Sequence, residues 1–311
     1  MLGVTENEAY PYAASSASHA TPSTAAATRM ISHLRSAREN VDMAAVSQGL
    51  IEFANRFRQP AGPGTEVIEA PRYRITIVQD YPIPGPNNVS WIRCRREDSD
   101  QVIDEAREVF ASRRLPFMWT IDPDTEPEDF ASYLANRGVR PEPVAPEVAV
   151  MVLPVEADVD SSAIDGLAFS DALADAESFR LADVVNGAAF GDAPRGVTPE
   201  QRASQERRRQ DQIAAGNRRV LLATIDGEPA GSSGLTLWQP HGAHINGGAV
   251  LEKFRGRGIY RAMVAERLRM ARESGVPGVS VWGGPMSAPI LERLGFVKVG
   301  WRRFYPDTSG M

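Results

Sequence analysis

The chain has 311 residues, 42% of them hydrophobic, and a formal net charge of −6 at pH 7. Its length allows two domains, its composition is that of an ordinary globular protein, and its acidic balance argues against a nucleic-acid partner. No apolar run approaches the roughly 20 residues that a membrane span needs, so no membrane partner is expected. The single cysteine, Cys94, forms no intrachain disulfide, which is consistent with a cytoplasmic protein.

The N-terminal segment shows few signs of regular structure. About the first 28 residues are rich in Ala, Ser and Thr and lack hydrophobic periodicity, which predicts a disordered tail over residues 1–42 or sequence upstream of a later start at Met30. The segment lacks the basic region and apolar core of a secretory signal. Residues 44–57 then predict one amphipathic helix.

Residues 43–155 predict a first α/β domain, because strand-like segments alternate with helical ones. The predicted strands are 73–79, 89–94, 117–121 and 148–153, and the predicted helices are 100–113 and 128–136. Residues 156–166, rich in Asp, Ser and Ala, predict a linker.

Residues 166–311 predict a second domain. Helices are predicted at 179–189, 199–215 and 260–273, and strands at 219–224, 230–238, 279–282 and 301–305, with a further strand ending at 249–251. The pair Asp226-Gly227 predicts a tight turn between the first two of these strands. The pattern favours an α/β fold (an α+β mixed sheet).

The run from Val250 to Tyr260 predicts an anion site. Strand-like residues lead into a loop with two glycines and two arginines, and an amphipathic helix follows. A loop of this kind presents main-chain N–H groups at a helix N-terminus, where phosphate binds. No Lys-Ser or Lys-Thr pair follows Gly258, so this is no Walker A loop, and Arg261 replaces the third glycine of a dinucleotide fingerprint.

The segment Arg255-Gly256-Arg257-Gly258-Ile259-Tyr260 resembles the acyl-CoA pyrophosphate loop of the GNAT superfamily of N-acetyltransferases, whose pattern is Gln/Arg-x-x-Gly-x-Gly/Ala. Arg255 and Gly258 match this pattern, whereas Tyr260 departs from its usual small residue. Residues 287–296, a short helix ending in Leu-Gly-Phe, resemble the family's other recurring segment. The order of elements over about the last 145 residues is also similar, which implies one GNAT domain of ordinary size.

The resemblance implies a site for acetyl-CoA or another acyl-CoA. Its binding residues would be Val250, Leu251, Arg255, Gly256, Arg257, Gly258, Ile259 and Tyr260. In the family, a main-chain N–H meets the thioester carbonyl where two central strands splay apart, which falls here near Val250 or Leu251. Just upstream, Gly247-Gly248 permits a β-bulge or a close approach by the ligand.

The groups that would move protons are less well defined. His244 precedes Val250 by six residues, so both side chains share a face if no bulge intervenes. Many relatives have a glutamate base at the matching position, and a histidine, which titrates near neutrality, is the candidate base here, directly or through water. The resemblance implies a tyrosine acid at the position of Leu291, which cannot donate a proton. The substitutes are Tyr260, Tyr305 and Ser287. His241 and His244 lack nearby cysteine or acidic residues, so no metal is expected.

The first half resembles a degenerate copy of the second half. Its helices and strands follow a comparable order, but residues 95–100 stand where the phosphate loop would be, with three carboxylates and no glycine. It thereby resembles two-domain GNAT members whose N-terminal copy is degenerate, which implies two tandem GNAT-like domains. An unrelated α/β accessory domain is the alternative.

These observations predict an N-acyltransferase that moves an acetyl or other acyl group from acyl-CoA directly to the primary amine of a small molecule or peptide-like substrate. The alternatives are a non-catalytic acyl-CoA sensor or interaction protein, and an enzyme whose acyl donor is a carrier protein. The arginine-rich helix 199–215 would attract an acidic substrate or carrier. The oligomeric state stays open, with a homodimer as one option.

Overall fold

One mixed sheet of eleven strands runs through both predicted domains in this computed structural model. The structure describes residues 46–159, 161–189 and 198–309, so the predicted tail 1–42 lies outside the described residues. No helix in the described ranges is long and apolar enough to cross a membrane.

The first half contains three helices and five strands within its described residues. They are α1 Gln48–Arg56, β1 Glu66–Ala70, β2 Tyr73–Ile77, β3 Asn88–Ser90, α2 Ser99–Ala111, β4 Phe117–Ile121, α3 Phe130–Asn136 and β5 Glu147–Pro154. The predicted helices and strands are found at these places, and β1 is an addition that the sequence pattern did not indicate.

The second half contains four helices and six strands in the part that the structure describes. They are β6 Leu167–Asp171, α4 Ala176–Ala189, α5 Pro199–Ala215, β7 Arg218–Ile225, β8 Glu228–Trp238, β9 Gly242–Val250, α6 Ile259–Glu273, β10 Gly278–Gly283, α7 Ala288–Arg293 and β11 Val297–Asp307. Here β6 is the element that was not predicted.

Local sequence signals explain several boundaries. Thr198 and Gln201 form a capping box at the start of α5, and Gly216 ends the helix in the left-handed conformation. Asp226 and Gly227 both have positive φ, which is the two-residue turn that joins β7 to β8. The predicted Asp-Gly turn is therefore confirmed.

The two halves exchange their last strands. The sheet order is β1-β2-β3-β4-β11-β5-β10-β9-β8-β7-β6. Strand β5 of the first half lies antiparallel between β10 and β11, and β11 of the second half lies antiparallel between β4 and β5. Each half thus completes its sheet with a strand from the other.

This exchange gives the sheet a pseudo-two-fold symmetry about the β5–β11 pair. The series β1-β2-β3-β4-β11 repeats the strand directions of β7-β8-β9-β10-β5, with one parallel pair in each: β3 with β4, and β9 with β10. Helices α2 and α3 occupy the places of α6 and α7 in chain order. The repeated element order predicted from the sequence is present.

Separate hydrophobic clusters support the two halves. In the first, Phe110 of α2 stacks on Phe117 of β4, with ring centroids 4.2 Å apart, beside the fully buried Trp119. In the second, α6 packs Val264 and Leu268 against β8, β9 and β10. Helix α1 covers the other face of β5, next to the exchanged strands.

Candidate functional site

The loop between β9 and α6 presents a row of free main-chain donors. A 3-10 turn, Glu252–Phe254, leads to Gly256 with φ 78° and to Gly258 with φ 84°, the residue before α6. Among the described residues, the N–H groups of 256–261 have no main-chain acceptor, and no side chain caps the helix. A helix start with free N–H groups and no cap is suited to an anion.

The side chains of this loop turn away from those donors. Arg255 donates from Nε to the Val250 carbonyl at 3.2 Å, and the Arg257 guanidinium lies over the Phe254 ring, 5.7 Å from its centroid. Ile259 is buried in the hydrophobic cluster under α6. The main-chain N–H groups of the loop would therefore contact an anion directly, and the two arginine side chains lie at the border of the loop.

Strands β9 and β10 separate beside the loop. They pair in parallel at only three positions: Ala243 with Val279, His244 with Ser280, and Ile245 with Val281. Beyond Ile245 the structure pairs no strand with this side of β9, so an open seam leads toward Val250. We call the gap beyond these three pairs the second-half seam.

At the end of the seam, the main-chain N–H groups of Val250 and Leu251 point in different directions. The Leu251 N–H donates to the Ala230 carbonyl on β8 at 2.9 Å, so it is not available to a ligand. Because neighbouring residues of a strand direct their N–H groups to opposite sides, the Val250 N–H points into the seam. Of the two predicted positions, only Val250 has a free donor there.

A β-bulge interrupts β9 at Gly247 and Gly248. Asn246 pairs with Gly234 and Ala249 with Ser232, so Ser233 alone opposes the two glycines, which have φ of 65° and 141°. The sequence permitted this bulge, and it is present. It also corrects the expected facing of His244, because the extra residue shifts the alternation. Val250 packs toward α6, whereas His244 lies on the opposite face of the sheet.

Tyr260 fills the space above the bulge. A Cβ on Gly248 would lie 2.8 Å from Cε2 of the Tyr260 ring, so the glycine makes room for a tyrosine where the family pattern has a small residue. Burial raises the pKa of the Tyr260 phenol, and Arg267 opposes that shift. The hydroxyl is therefore protonated at neutral pH, as a proton donor must be.

Arg267 is a fully buried cation beside the same bulge. Its guanidinium donates to the carbonyls of Met263, at 3.0 Å, and of Gly234 and Gly247, at 3.4 and 3.5 Å. Its Nη2 has no hydrogen-bond partner, and no ion pair forms with it among the described residues. Burial lowers its pKa to about 10, so it remains charged at neutral pH.

His244 lies in a polar row that crosses four strands. Arg218 on β7, Thr236 on β8, His244 on β9 and Ser280 on β10 are direct cross-strand neighbours on the face opposite α6. Ser280 Oγ lies 3.0 Å from Nδ1 of His244, and the Trp282 ring packs edge-on against the imidazole. Burial, followed by Arg302 and Arg218, lowers the pKa of His244 to about 3. The imidazole is thus neutral at pH 7 and a weak base.

The other predicted proton donors lie in different surroundings. Ser287 begins α7 beyond the end of β10, half-buried, and its hydroxyl donates to the Gly284 carbonyl at 3.4 Å. Tyr305 is buried in the first-half cluster and pairs with Trp119, so the structure does not bring it to the seam. Leu291 is fully buried and offers no hydroxyl. Cys94 is buried in the first half, where burial raises its thiol pKa.

Arg218 and Asn246 were not predicted as site residues. Nη1 of Arg218 donates to Thr236 Oγ1 at 2.7 Å and to Asn246 Oδ1, and the guanidinium lies directly over Gly234. In the sequence, Arg218-Arg219 reads as the solvated end of a strand, and no local pattern separates the two. Cross-strand register alone brings Arg218 over β8 and β9.

The arginines of α5 are largely neutralised within the fold. Arg208 pairs with Asp183 at 2.8 Å, Arg209 with Glu206 at 2.8 Å, and Arg207 with Asp80 at 3.4 Å. The attraction for an acidic partner that the sequence suggested for this helix is correspondingly reduced.

The corresponding strand–loop–helix segment of the first half, which leads into α2, has no free helix start and no open gap between its strands in the described part of the chain. Asp98 and Arg95 pair before α2, with Nε and Oδ2 2.9 Å apart, and Arg137 pairs with Asp100. Beyond β3 and β4, the Glu126 N–H donates to the Ile92 carbonyl at 3.0 Å, and the Cys94 N–H donates to the Glu126 carbonyl at 3.1 Å. We call this hydrogen-bonded gap the first-half seam.

Comparisons with known proteins agree with this geometry. Residues 189–296 match the model of the Acetyltransferase (GNAT) family. A GCN5-related N-acetyltransferase from Kribbella flavida is 16% identical with a TM-score of 0.57, over 84% of this chain and 91% of that chain. A functionally unknown conserved protein from Staphylococcus epidermidis is 13% identical with a TM-score of 0.62, over 84% of this chain and 99% of that chain. A tandem GNAT protein from the clavulanic acid biosynthesis pathway is 17% identical with a TM-score of 0.57, over 86% of this chain and 89% of that chain. No curated protein matches the chain.

At these identities the solved structures establish the fold alone, and the match to the GNAT family model is what supports acyl transfer in general. The mixed α/β fold and the family resemblance predicted from the sequence are both confirmed. Over residues 189–296, the chain therefore contains a domain of the GNAT acetyltransferase family.

Proposed function

We propose that this chain is an N-acyltransferase that moves an acetyl or other acyl group from acyl-CoA directly to the primary amine of a small molecule or peptide-like substrate. The observation that carries the proposal is the second-half seam, which runs from the free N–H groups of 256–261 past Val250 to the bulge. In this proposal residues 166–311 form the acyl-CoA-binding domain, residues 43–155 are a degenerate copy, and the protein acts in the cytoplasm.

The residues present fit an acyl-CoA. The N–H groups of 256–261 would hold its pyrophosphate, with Arg255 and Arg257 adding charge at the border of the loop. When bound, acyl-CoA supplies an activated thioester to the amine. The Val250 N–H, directed into the seam, is the donor available to polarise a carbonyl there.

Protons are handled by different groups on the two faces of β9. Tyr260, neutral and packed on the bulge, is the proposed proton donor to a leaving thiolate, and Ser287 is the second candidate on the seam side. His244, with a pKa of about 3, is too weak to hold the amine's proton. We therefore assign it the part of a neutral hydrogen-bond acceptor that orients the amine or a bridging water, and the amine's proton leaves with that water to bulk solvent.

Calorimetry with acetyl-CoA, followed by thiol release with a panel of primary amines, tests the proposal. We expect one acetyl-CoA bound per chain and amine-dependent release of free thiol. Absence of binding by any acyl-CoA would contradict the cofactor assignment.

A non-catalytic acyl-CoA sensor is the second candidate, favoured by the buried Leu291 at the position where the family has a tyrosine acid. The same measurements separate the two, because a sensor binds acetyl-CoA tightly and releases no thiol with any amine. An enzyme that uses a carrier-bound acyl group would release thiol from an acylated carrier and not from acetyl-CoA.

A further inference from the structure

Arg218 is a cation without a counter-ion on the face of the sheet opposite α6. One nitrogen, Nη1, is occupied by Thr236 and Asn246, whereas Nε and Nη2 have no acceptor in the described ranges. The residue is half-buried and forms no ion pair with a described carboxylate. By contrast, Arg208 pairs with Asp183 and Arg302 with Asp122.

A second cation reinforces the local positive potential. Arg267 approaches Gly234 from the α6 side, while the Arg218 guanidinium lies over the same glycine on the opposite face. Burial lowers the pKa of both guanidinium groups to about 10, and the charge of Arg218 lowers the pKa of Arg267 further. Two partly or fully desolvated cations beside one residue are costly in the free protein, and an anionic ligand would relieve that cost.

Helix α4 packs on this face over β7 and β8, and the surface beside it is partly exposed. His244, Thr236 and Asn246 are each partly exposed, and Trp282 is 41% exposed beside His244. These residues line the face of β8, β9 and β10 from which an acceptor would reach the second-half seam. Arg218 stands at one end of this surface and the seam at the other.

We infer that the acceptor amine carries a carboxylate, which Nε and Nη2 of Arg218 bind while the amine reaches the second-half seam. This inference rests on the proposed function. Gly234 is on β8, so the middle of the seam lies roughly one and a half strand spacings, about 7 Å, across the sheet from the guanidinium. Val250 pairs with Gly231, three residues from Gly234, so its N–H lies roughly 10 Å further along the strands. Once the ion-pair contact and the approach of the amine to the carbonyl are included, these offsets suit an amine and a carboxylate joined by roughly three to five carbon atoms.

The acyl donor is a less suitable source of the anion. A carboxylate at the end of a dicarboxylic acyl chain would start from the seam and have to cross β9 to reach Gly234. The acceptor comes from the face on which Arg218 lies, so its carboxylate meets the guanidinium first.

Thiol release from acetyl-CoA with matched acceptors tests the inference. The panel is alanine, β-alanine, γ-aminobutyrate and 6-aminohexanoate, each compared with its own carboxamide. We expect kcat/KM for at least one acid to exceed that of its carboxamide by about tenfold to a hundredfold, the usual range for a charge-assisted pair. The amine of alaninamide is the less basic of its pair, so a preference for the acid does not come from easier deprotonation.

Variants separate recognition from folding. Arg218→Met should abolish the preference for the acid by lowering kcat/KM of the acid to that of its carboxamide, and Arg218→Lys should keep part of the preference. Arg219→Met removes an equal charge from the neighbouring residue of β7 and should change neither kcat/KM value. Unfolding midpoints of all three variants identify any loss that comes from misfolding.

Three results would overturn the inference while the proposed function stands: equal rates for acids and carboxamides, a preference that survives Arg218→Met, or a dependence on Arg218 seen only with succinyl-CoA and a carboxamide acceptor. If no amine is acetylated, the proposed function fails, and calorimetry of the free protein with the same acids and carboxamides decides the inference separately. Binding of an acid that Arg218→Met abolishes would support it, and no binding by any acid would overturn it.

Discussion

The two halves of the sheet contain the same strand–turn–helix step, yet only the second half leaves it open. Before α6, Gly256 and Gly258 expose free N–H groups, and β9 and β10 part beyond Ile245. Before α2, charged side chains pair with one another, and main-chain bonds of Glu126 close the gap beyond β3 and β4. The difference indicates that an anion loop needs both a helix start without side-chain carboxylates and an open seam beside it.

The largest expected effect is on the loop itself. Gly258→Glu should weaken acetyl-CoA binding by at least about a hundredfold, because a carboxylate would stand where charge-assisted bonds to phosphate form. Gly258→Ala carries the same strain at φ 84° without the charge, so it is the matched control and should lose much less. Calorimetry measures both, and equal losses in the two variants would remove the electrostatic explanation.

Tyr260 has the next largest expected effect, on the rate. Tyr260→Phe keeps the ring that packs on Gly248 and removes only the hydroxyl, so we expect kcat to fall by about a hundredfold with acetyl-CoA affinity unchanged. Steady-state thiol release measures the change. An unchanged kcat would exclude the phenol as proton donor and leave Ser287→Ala as the next variant to test.

The buried His244 should make the free energy of unfolding depend on pH. Its pKa is about 3 in the folded protein and about 6.5 in the unfolded chain, so the unfolded state binds the proton more readily. The contribution of His244 to the free energy of unfolding is fully present above pH 6.5, and it is lost progressively as the pH decreases toward 3. Between pH 7.5 and pH 5 the loss should be about 2 kcal/mol of unfolding free energy.

Chemical denaturation of the wild type and of His244→Asn at both pH values checks this expectation. The variant should lack that part of the pH dependence, whatever its stability at pH 7.5. An identical dependence in both proteins would show that the imidazole is not shielded from protonation.

The smallest expected effect comes from the first-half loop. Replacing Glu97 and Asp98 by alanine removes two carboxylates near the start of α2, but the bonds of Ile92 and Cys94 to Glu126 still close the seam. We therefore expect the double variant to bind one acetyl-CoA per chain, as the wild type does. A calorimetric stoichiometry of two would show that charge alone kept the first half from binding.

Much of the fold could be predicted from local patterns. The apolar face of α6, the capping box of α5 and the Asp-Gly turn are signals contained within a few neighbouring residues. The short strands β1 and β6 were missed, because their residues are partly exposed and show no clear alternation. The bulge was foreseen as an option at Gly247-Gly248, but its effect on the facing of His244 depends on register.

The sequence by itself determined the order of the elements other than β1 and β6, the loop of residues 255–260 and the family resemblance, because each depends on residue types at short, fixed spacing. Only the tertiary structure decided that β5 and β11 exchange places, that Tyr305 belongs to the first-half core and that Arg218 lies above β8 and β9. Strand pairing makes these choices, since it brings together residues far apart in the chain and no local pattern specifies the partner.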